Sequence, residues 1–143
     1  MELNSRTWEK DAALAYGLLR ITLGLDIFLH GAVRWAGGLG KFAAPLAAMF
    51  HNSPLPQWFV LGFGYALPIL EAVIGAAIFI GFQTRRALIA GGVLMLALIF
   101  GSSLRQDWQV VGLQLIYSLT YALLLATVQF NRYSLDGWRG QKF

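Results

Sequence analysis

Four residues in one short stretch, Arg20, Asp26, His30 and Arg34, have the types and spacing to do chemistry. At about 100° per residue they fall within an arc of roughly 120° on a helix, so they form one polar stripe. Asp26 lies one turn before His30, the separation at which a carboxylate can orient an imidazole. Such a pair can hand a proton to an acceptor such as a quinone carbonyl. A further acid, Glu71, stands by itself in another apolar stretch. Catalytic roles are therefore expected at His30, Asp26 and Glu71. Binding roles are expected at Arg20, Arg34, Lys41, Gln114, Tyr117 and Tyr121.

The elements that must hold these residues are read from composition. Of 143 residues, 57% are hydrophobic and only 13% charged, and the mean hydropathy is +0.60. That is too apolar for a water-soluble domain of this size, so lipid is the expected solvent. Four stretches, at about 13–35, 57–81, 86–104 and 109–130, are long enough to cross a hydrocarbon core about 30 Å thick. The expected fold is all-α, a single-domain four-helix transmembrane bundle. The segment 36–56 is a long connection whose apolar run is interrupted by Pro45, a candidate interfacial helix. Residues 1–12 carry Glu2, Arg6, Glu9, Lys10 and Asp11, unlike the apolar core of a cleavable leader, so the first span is expected to remain as an anchor. The cations Arg6, Lys10, Arg85, Arg86, Arg132, Arg139 and Lys142 fall on the side of the termini, against Arg34, Lys41 and Arg105 on the other. The positive-inside rule then puts both termini in the cytoplasm. Trp35, Trp58, Trp108 and Trp138 stand near span ends, as headgroup-zone anchors do.

On insertion scales a central Arg or Asp costs about 2.5 to 3.5 kcal/mol, whereas each Leu, Ile, Phe or Val returns only about 0.3 to 0.6. The stripe on the first span must therefore face protein or a wet cavity. Counting about 1.5 Å per residue from the predicted span ends puts Glu71 between the levels of Arg20 and Asp26. It puts Tyr117 level with Asp26, and Gln114, Ser102 and Ser103 level with His30. The expectation is one polar core of Arg20, Asp26, His30, Glu71, Gln114, Tyr117 and Tyr121. Arg20 is the expected partner of Glu71, because a buried carboxylate needs a compensating charge. Pro68, about one turn before Glu71, is expected to kink its helix and free a carbonyl. Gly75, Ala76, Ala77, Gly91 and Gly92 are expected to let helices approach closely.

Other chemistries are disfavoured. There is no cysteine, which removes disulfides, thiolate metal sites and thiol relays from this chain. The only other histidine, His51, lies in the long loop, so haem held by two imidazoles is not expected. No metal site is expected either, since no His or carboxylate pair has a recognised spacing. A net charge of +4 is scattered over helix ends and forms no basic stripe, so no nucleic acid is expected.

Several short runs carry a family resemblance. These are Leu19-Arg20, Leu29-His30-Gly31 with Arg34 after it, Glu71, Gly81 to Arg85, and Asn131 to Asp136. Together they resemble the DoxX-like family, most closely its DoxD type, the small membrane subunit of thiosulfate:quinone oxidoreductase. The resemblance implies a bacterial or archaeal cytoplasmic-membrane subunit that passes electrons from a reduced sulfur compound to quinone, the acceptor. It carries over to Arg20, His30 and Glu71. Arg34 departs from the Lys frequent in the family, which keeps the charge and changes the hydrogen-bond geometry. A separate DoxA-like partner subunit is implied, and a homo-oligomer is a further partner expectation. Other members of the family are assembly factors, so a binding or assembly protein that holds a lipid or client helix is the alternative. A proton-coupled transporter using Glu71 is a third class, for which no inverted repeat is visible.

Overall fold

The computed structural model describes residues 2–140, with side chains from Arg6 onward. Met1 and residues 141–143, which include the expected inner cation Lys142, lie outside the described residues. The described chain is all helical. Its elements are α1 (Glu2–Ala36), α2 (Leu39–Met49), α3 (Gln57–Ile80), α4 (Thr84–Leu104) and α5 (Trp108–Ala126), then a 3₁₀ turn (Val128–Phe130) and a short α6 (Leu135–Trp138). Four of them, α1, α3, α4 and α5, are long and apolar enough to cross a membrane. Leu, Ile, Val and Phe side chains stand exposed along all four, a surface that suits acyl chains and not water. This is a multi-pass membrane protein.

Two boundaries differ from the sequence expectation. Helix α1 begins near Glu2 and not near 13, because its charged first turns contain no helix breaker and find partners at the other end of the chain. Trp8 packs edge-on against Phe130 with ring centroids 5.5 Å apart, and Arg132 donates to Glu9 at 3.0 Å. Helix α5 ends at Ala126 and not near 130, and the 3₁₀ turn takes up Val128–Phe130. The long connection does contain a helix, α2, with Pro45 inside it. It follows a turn at Gly38, whose φ of 99° suits glycine.

The tightest packing is between antiparallel α1 and α3, and glycines make it. A Cβ on Gly24 would strike the Ile78 and Phe79 backbone, one on Gly31 the carbonyl of Pro68 and the amide of Ala72, and one on Gly75 the Phe28 amide. Backbones meet directly at three levels, which is how small residues stabilise helix pairs in lipid. Gly91 gives way in the same manner to the ring of Tyr121, whereas Gly92 faces open space. The packed interior joins Tyr16, Leu23 and Ile27 of α1 to Ile78, Leu88, Met95, Tyr121 and Leu124 of the other spans. The expected tryptophan anchors Trp35, Trp58, Trp108 and Trp138 are all exposed near helix ends.

Candidate functional site

The polar groups of α1 serve two separate places. Arg20 belongs to the end of the bundle that carries the termini. Helix α3 stops at Gly81, where φ is 71° and the Phe82 amide reaches back to the Ala77 carbonyl, a glycine-terminated helix end. Arg20 closes this end, donating through Nη1 to Phe79 O and to Ile78 O, which also accepts from the Gly81 amide, and through Nη2 to Tyr133 O in the tail, at 2.6, 2.5 and 2.7 Å. A cation at a helix C-terminus also complements the helix dipole.

The start of α4 is held from the same tail. Gln83 at its N-cap has a φ of 45° and makes no side-chain cap. Asp136 caps the helix instead, accepting from Gln83 N at 2.9 Å, Thr84 N at 2.7 Å and Thr84 Oγ1 at 2.8 Å. Asn131 Nδ2 donates to the same Thr84 hydroxyl at 2.9 Å. The run Gly81 to Arg85 and the run Asn131 to Asp136 are therefore one structural unit, a latch that closes the terminal end of the bundle.

The second place is a cavity of about 580 Å³ in the half of the bundle under α2. Its walls are mainly apolar, from Phe42 and Leu46 of α2, Phe50 just past its end, Phe59, Phe63 and Leu67 of α3, and Leu98 of α4. Its polar groups are His30, Arg34, Glu71, Ser102, Arg105, Gln114 and Tyr117. Glu71 is buried and receives two bonds from one nitrogen of Arg34, to Oε1 at 2.7 Å and Oε2 at 2.5 Å. Arg34 also lies over the Phe42 ring at 4.6 Å. Also on the lining, Arg105 lies over Phe50 at 5.6 Å and pairs with Asp107 at 3.3 Å. Gln114 Nε2 donates to Ser102 Oγ at 3.0 Å. Tyr117, in the middle of α5, donates its hydroxyl to Asp26 Oδ2 at 2.6 Å.

His30 and Asp26 do meet, with the bond made mostly by the backbone. His30 Nδ1 is 2.9 Å from the Asp26 carbonyl oxygen and 3.5 Å from its carboxylate. A carbonyl only accepts, so Nδ1 carries the hydrogen. Nε2 is then left for the cavity, which His30 lines. Such a site can orient a polar head inside an apolar pocket and offer it an imidazole and a phenol.

The DoxX family model matches residues 15–102. The chain belongs to the DoxX family. No curated protein and no solved structure matches it. The matched segment runs from the first turns of the membrane core through α4, and so includes Arg20, His30, Glu71 and the Gly81 turn. The tail Asn131 to Asp136 lies beyond it, tied to it by the latch.

Two expectations are corrected in this DoxX protein. Arg20 does not pair with Glu71; Arg34 does. The depth count assumed that the predicted spans begin level, whereas the glycine contacts slide α3 along α1 until Glu71 stands opposite Gly31 and Arg34. Second, the single polar core divides. Arg20 is 2% exposed and locked to backbone carbonyls, away from the cavity lining. Tyr121 is buried on Gly91, and its hydroxyl has no partner among the described residues. Lys41 and His51 lie outside the cavity lining. Both are exposed, and His51 contacts the Asn52 side chain at 3.2 Å.

Sequence reasoning missed the pairing role of Arg34, the cap made by Asp136 and the place of Arg105. The first had a legible signal, since Gly24 and Gly31 are seven residues apart on one helix face and Gly75 answers them on α3. Among the described residues no group of three His, Asp or Glu side chains is placed to hold a metal ion.

Proposed function

We propose that this chain is a quinone-binding membrane subunit of an oxidoreductase, DoxD-like within its family, that delivers electrons from a reduced sulfur compound such as thiosulfate to the quinone pool. The observation that carries this reading is the cavity under α2, a pocket of about 580 Å³ with apolar walls and the groups His30, Glu71, Arg34, Gln114 and Tyr117 inside a membrane span. A quinone head is planar, carries two carbonyl acceptors and trails an apolar tail. Reduction takes up two electrons and two protons. In this reading His30, once it also carries a proton on Nε2, donates from that nitrogen to one carbonyl and hands the proton over. Tyr117 turns its one hydroxyl hydrogen from Asp26 to the other carbonyl and is reprotonated afterwards. The Glu71–Arg34 pair fixes α1 against α3 beside the head.

The electrons come from a partner. The chain has no cysteine to relay them, so oxidation of the sulfur donor falls to a separate DoxA-like subunit. The termini face the cytoplasm and α2 faces outward, in a bacterial or archaeal cytoplasmic membrane. Lys41 on α2 is then a surface cation available to an anionic donor or to the partner.

The test is to purify the protein with its co-purifying partners, extract the lipid, and assay thiosulfate-dependent reduction of a soluble quinone analogue. Retained quinone and reduction that needs the partner are expected. An extract without quinone, together with no reduction in any combination, rejects the reading.

One observation favours a second reading, a binding or assembly protein. Only 11% of the α5 span is buried, against 33% to 44% for the other spans, which leaves a helix face for a lipid or client helix. That reading expects stable partners and no turnover.

A further inference from the structure

Asp26 and His30 lie within a membrane-spanning helix, yet each side chain is 43% exposed. Asp26 is not among the residues that line the cavity, whereas both of its polar neighbours, Tyr117 and His30, are, which puts Asp26 at the rim where α1 faces α5. Along this seam one polar bond joins the two helices among the described residues, from the Tyr117 hydroxyl to Asp26 Oδ2 at 2.6 Å. Elsewhere the bundle closes α1 against α3 by direct backbone contact. A carboxyl group left against acyl chains is costly, so a half-exposed one at a loosely packed seam marks a place that something polar visits.

Behind the seam lies the cavity. Tyr117 and His30 both line it, so the two residues that meet Asp26 at the rim also reach the pocket within. The Tyr117–Asp26 bond therefore stands between lipid and cavity. We propose that this seam is a lateral portal, through which an amphiphile with a planar, hydrogen-bonding head and a hydrocarbon tail passes from the bilayer into the cavity. Asp26 and Tyr117 form its latch. An arriving carbonyl accepts the hydrogen that Tyr117 gives to Asp26, and the Asp26 carboxylate keeps His30 Nδ1 3.5 Å away, so the latch opens with a polar neighbour at each group. The tail stays in the bilayer between α1 and α5. On the cavity lining near the α4–α5 turn, Arg105 stacks on Phe50 and pairs with Asp107, a polar flank unsuited to a hydrocarbon tail. The proposal rests on the reading above only for what the ligand is; the route rests on the seam.

The chain contains no cysteine, so a single introduced thiol reports on the route. Leu98 lines the cavity from α4 and is the position to replace, as Leu98→Cys. Two reagents are compared in phosphatidylcholine vesicles. N-dodecylmaleimide is a membrane-dissolved amphiphile with a planar dicarbonyl head; the thiol adds across its ring double bond, forming one S–C bond, and the thiol proton ends on the neighbouring carbon. The sulfonate 2-sulfonatoethyl methanethiosulfonate reaches the protein only from water. Rates are normalised to the thiol in denatured protein, and melting in detergent checks that each variant is folded.

The expected result is that dodecylmaleimide labels Leu98→Cys well ahead of the sulfonate. Adding Tyr117→Phe should speed the maleimide by about tenfold, the size of one lost hydrogen bond to a charged group, and leave the sulfonate unchanged. Labelling led by the sulfonate overturns the portal. So does labelling by neither reagent, or a maleimide rate indifferent to Tyr117→Phe. A long-chain ubiquinone in the vesicles should slow the maleimide. If it does not, while the Tyr117→Phe effect stands, the portal holds and the quinone reading fails.

Discussion

Arg34 of α1 holds Glu71 of α3 with a single guanidinium nitrogen, which reaches both carboxylate oxygens at 2.7 and 2.5 Å. Glu71 is buried and Arg34 is 30% exposed by side chain, so the pair sits at the edge of the cavity with its acid inward. Removing one partner leaves the other uncompensated in a medium that cannot solvate it.

Arg34→Ala should therefore lower stability in detergent by about 2 to 4 kcal/mol, discounted from a fully buried pair because water reaches the guanidinium. A double-mutant cycle with Glu71→Gln should give a coupling of about 1 kcal/mol or more. The cycle between Arg20 and Glu71 should be additive within about 0.5 kcal/mol, since the two share no partner. The reverse pattern would restore the Arg20–Glu71 pair and refute the register described here.

Arg20→Ala removes three bonds to backbone carbonyls at the end of α3 and in the tail. A loss of about 3 kcal/mol or more is expected, with Arg20→Lys recovering only part of it because one ammonium cannot span the fork. Asp136→Ala, which strips the cap from α4, should cost about 1 to 2 kcal/mol. Thermal melting of both, singly and together, checks the latch: sub-additive losses are expected from one cooperative unit.

The glycine seam gives a contrast of its own. Gly75→Ala puts a methyl group into the Phe28 backbone, and a loss of about 2 to 3 kcal/mol is expected from overpacking between rigid helices. Gly92→Ala meets no atom within 4 Å and should be neutral or stabilising by up to about 1 kcal/mol. Equal effects of the two substitutions on unfolding midpoint would contradict the close approach of α1 and α3.

In the cavity, His30→Ala and Gln114→Ala each remove a polar group from an otherwise apolar lining. Each should reduce quinone retained after purification by about tenfold, the value of one hydrogen bond to a head group, with little change in melting. Lys41→Ala, outside the cavity, should leave retention unchanged. Quantifying quinone in the lipid extract of each variant settles it.

The number and class of helices were legible from composition alone, because a chain this apolar has one solvent in which it is stable and that solvent fixes the length of a span. The α2 helix was legible as an interfacial candidate. The stripe on α1 was legible as well, since intramembrane Arg, Asp and His cannot face acyl chains cheaply. Its partners were not. A depth count from predicted ends carries an error of about two turns when a helix such as α1 extends well beyond its apolar part, and two turns are enough to exchange Arg20 for Arg34 opposite Glu71.

What the sequence determined by itself is that this protein folds in a membrane as four spans and must satisfy a handful of buried polar groups. Tertiary structure alone decided which groups meet, because register follows from where backbones can touch. Gly24, Gly31 and Gly75 set that register by lacking a side chain. It delivers Arg20 to the helix end and the C-terminal tail, and Arg34 to the acid beside the cavity.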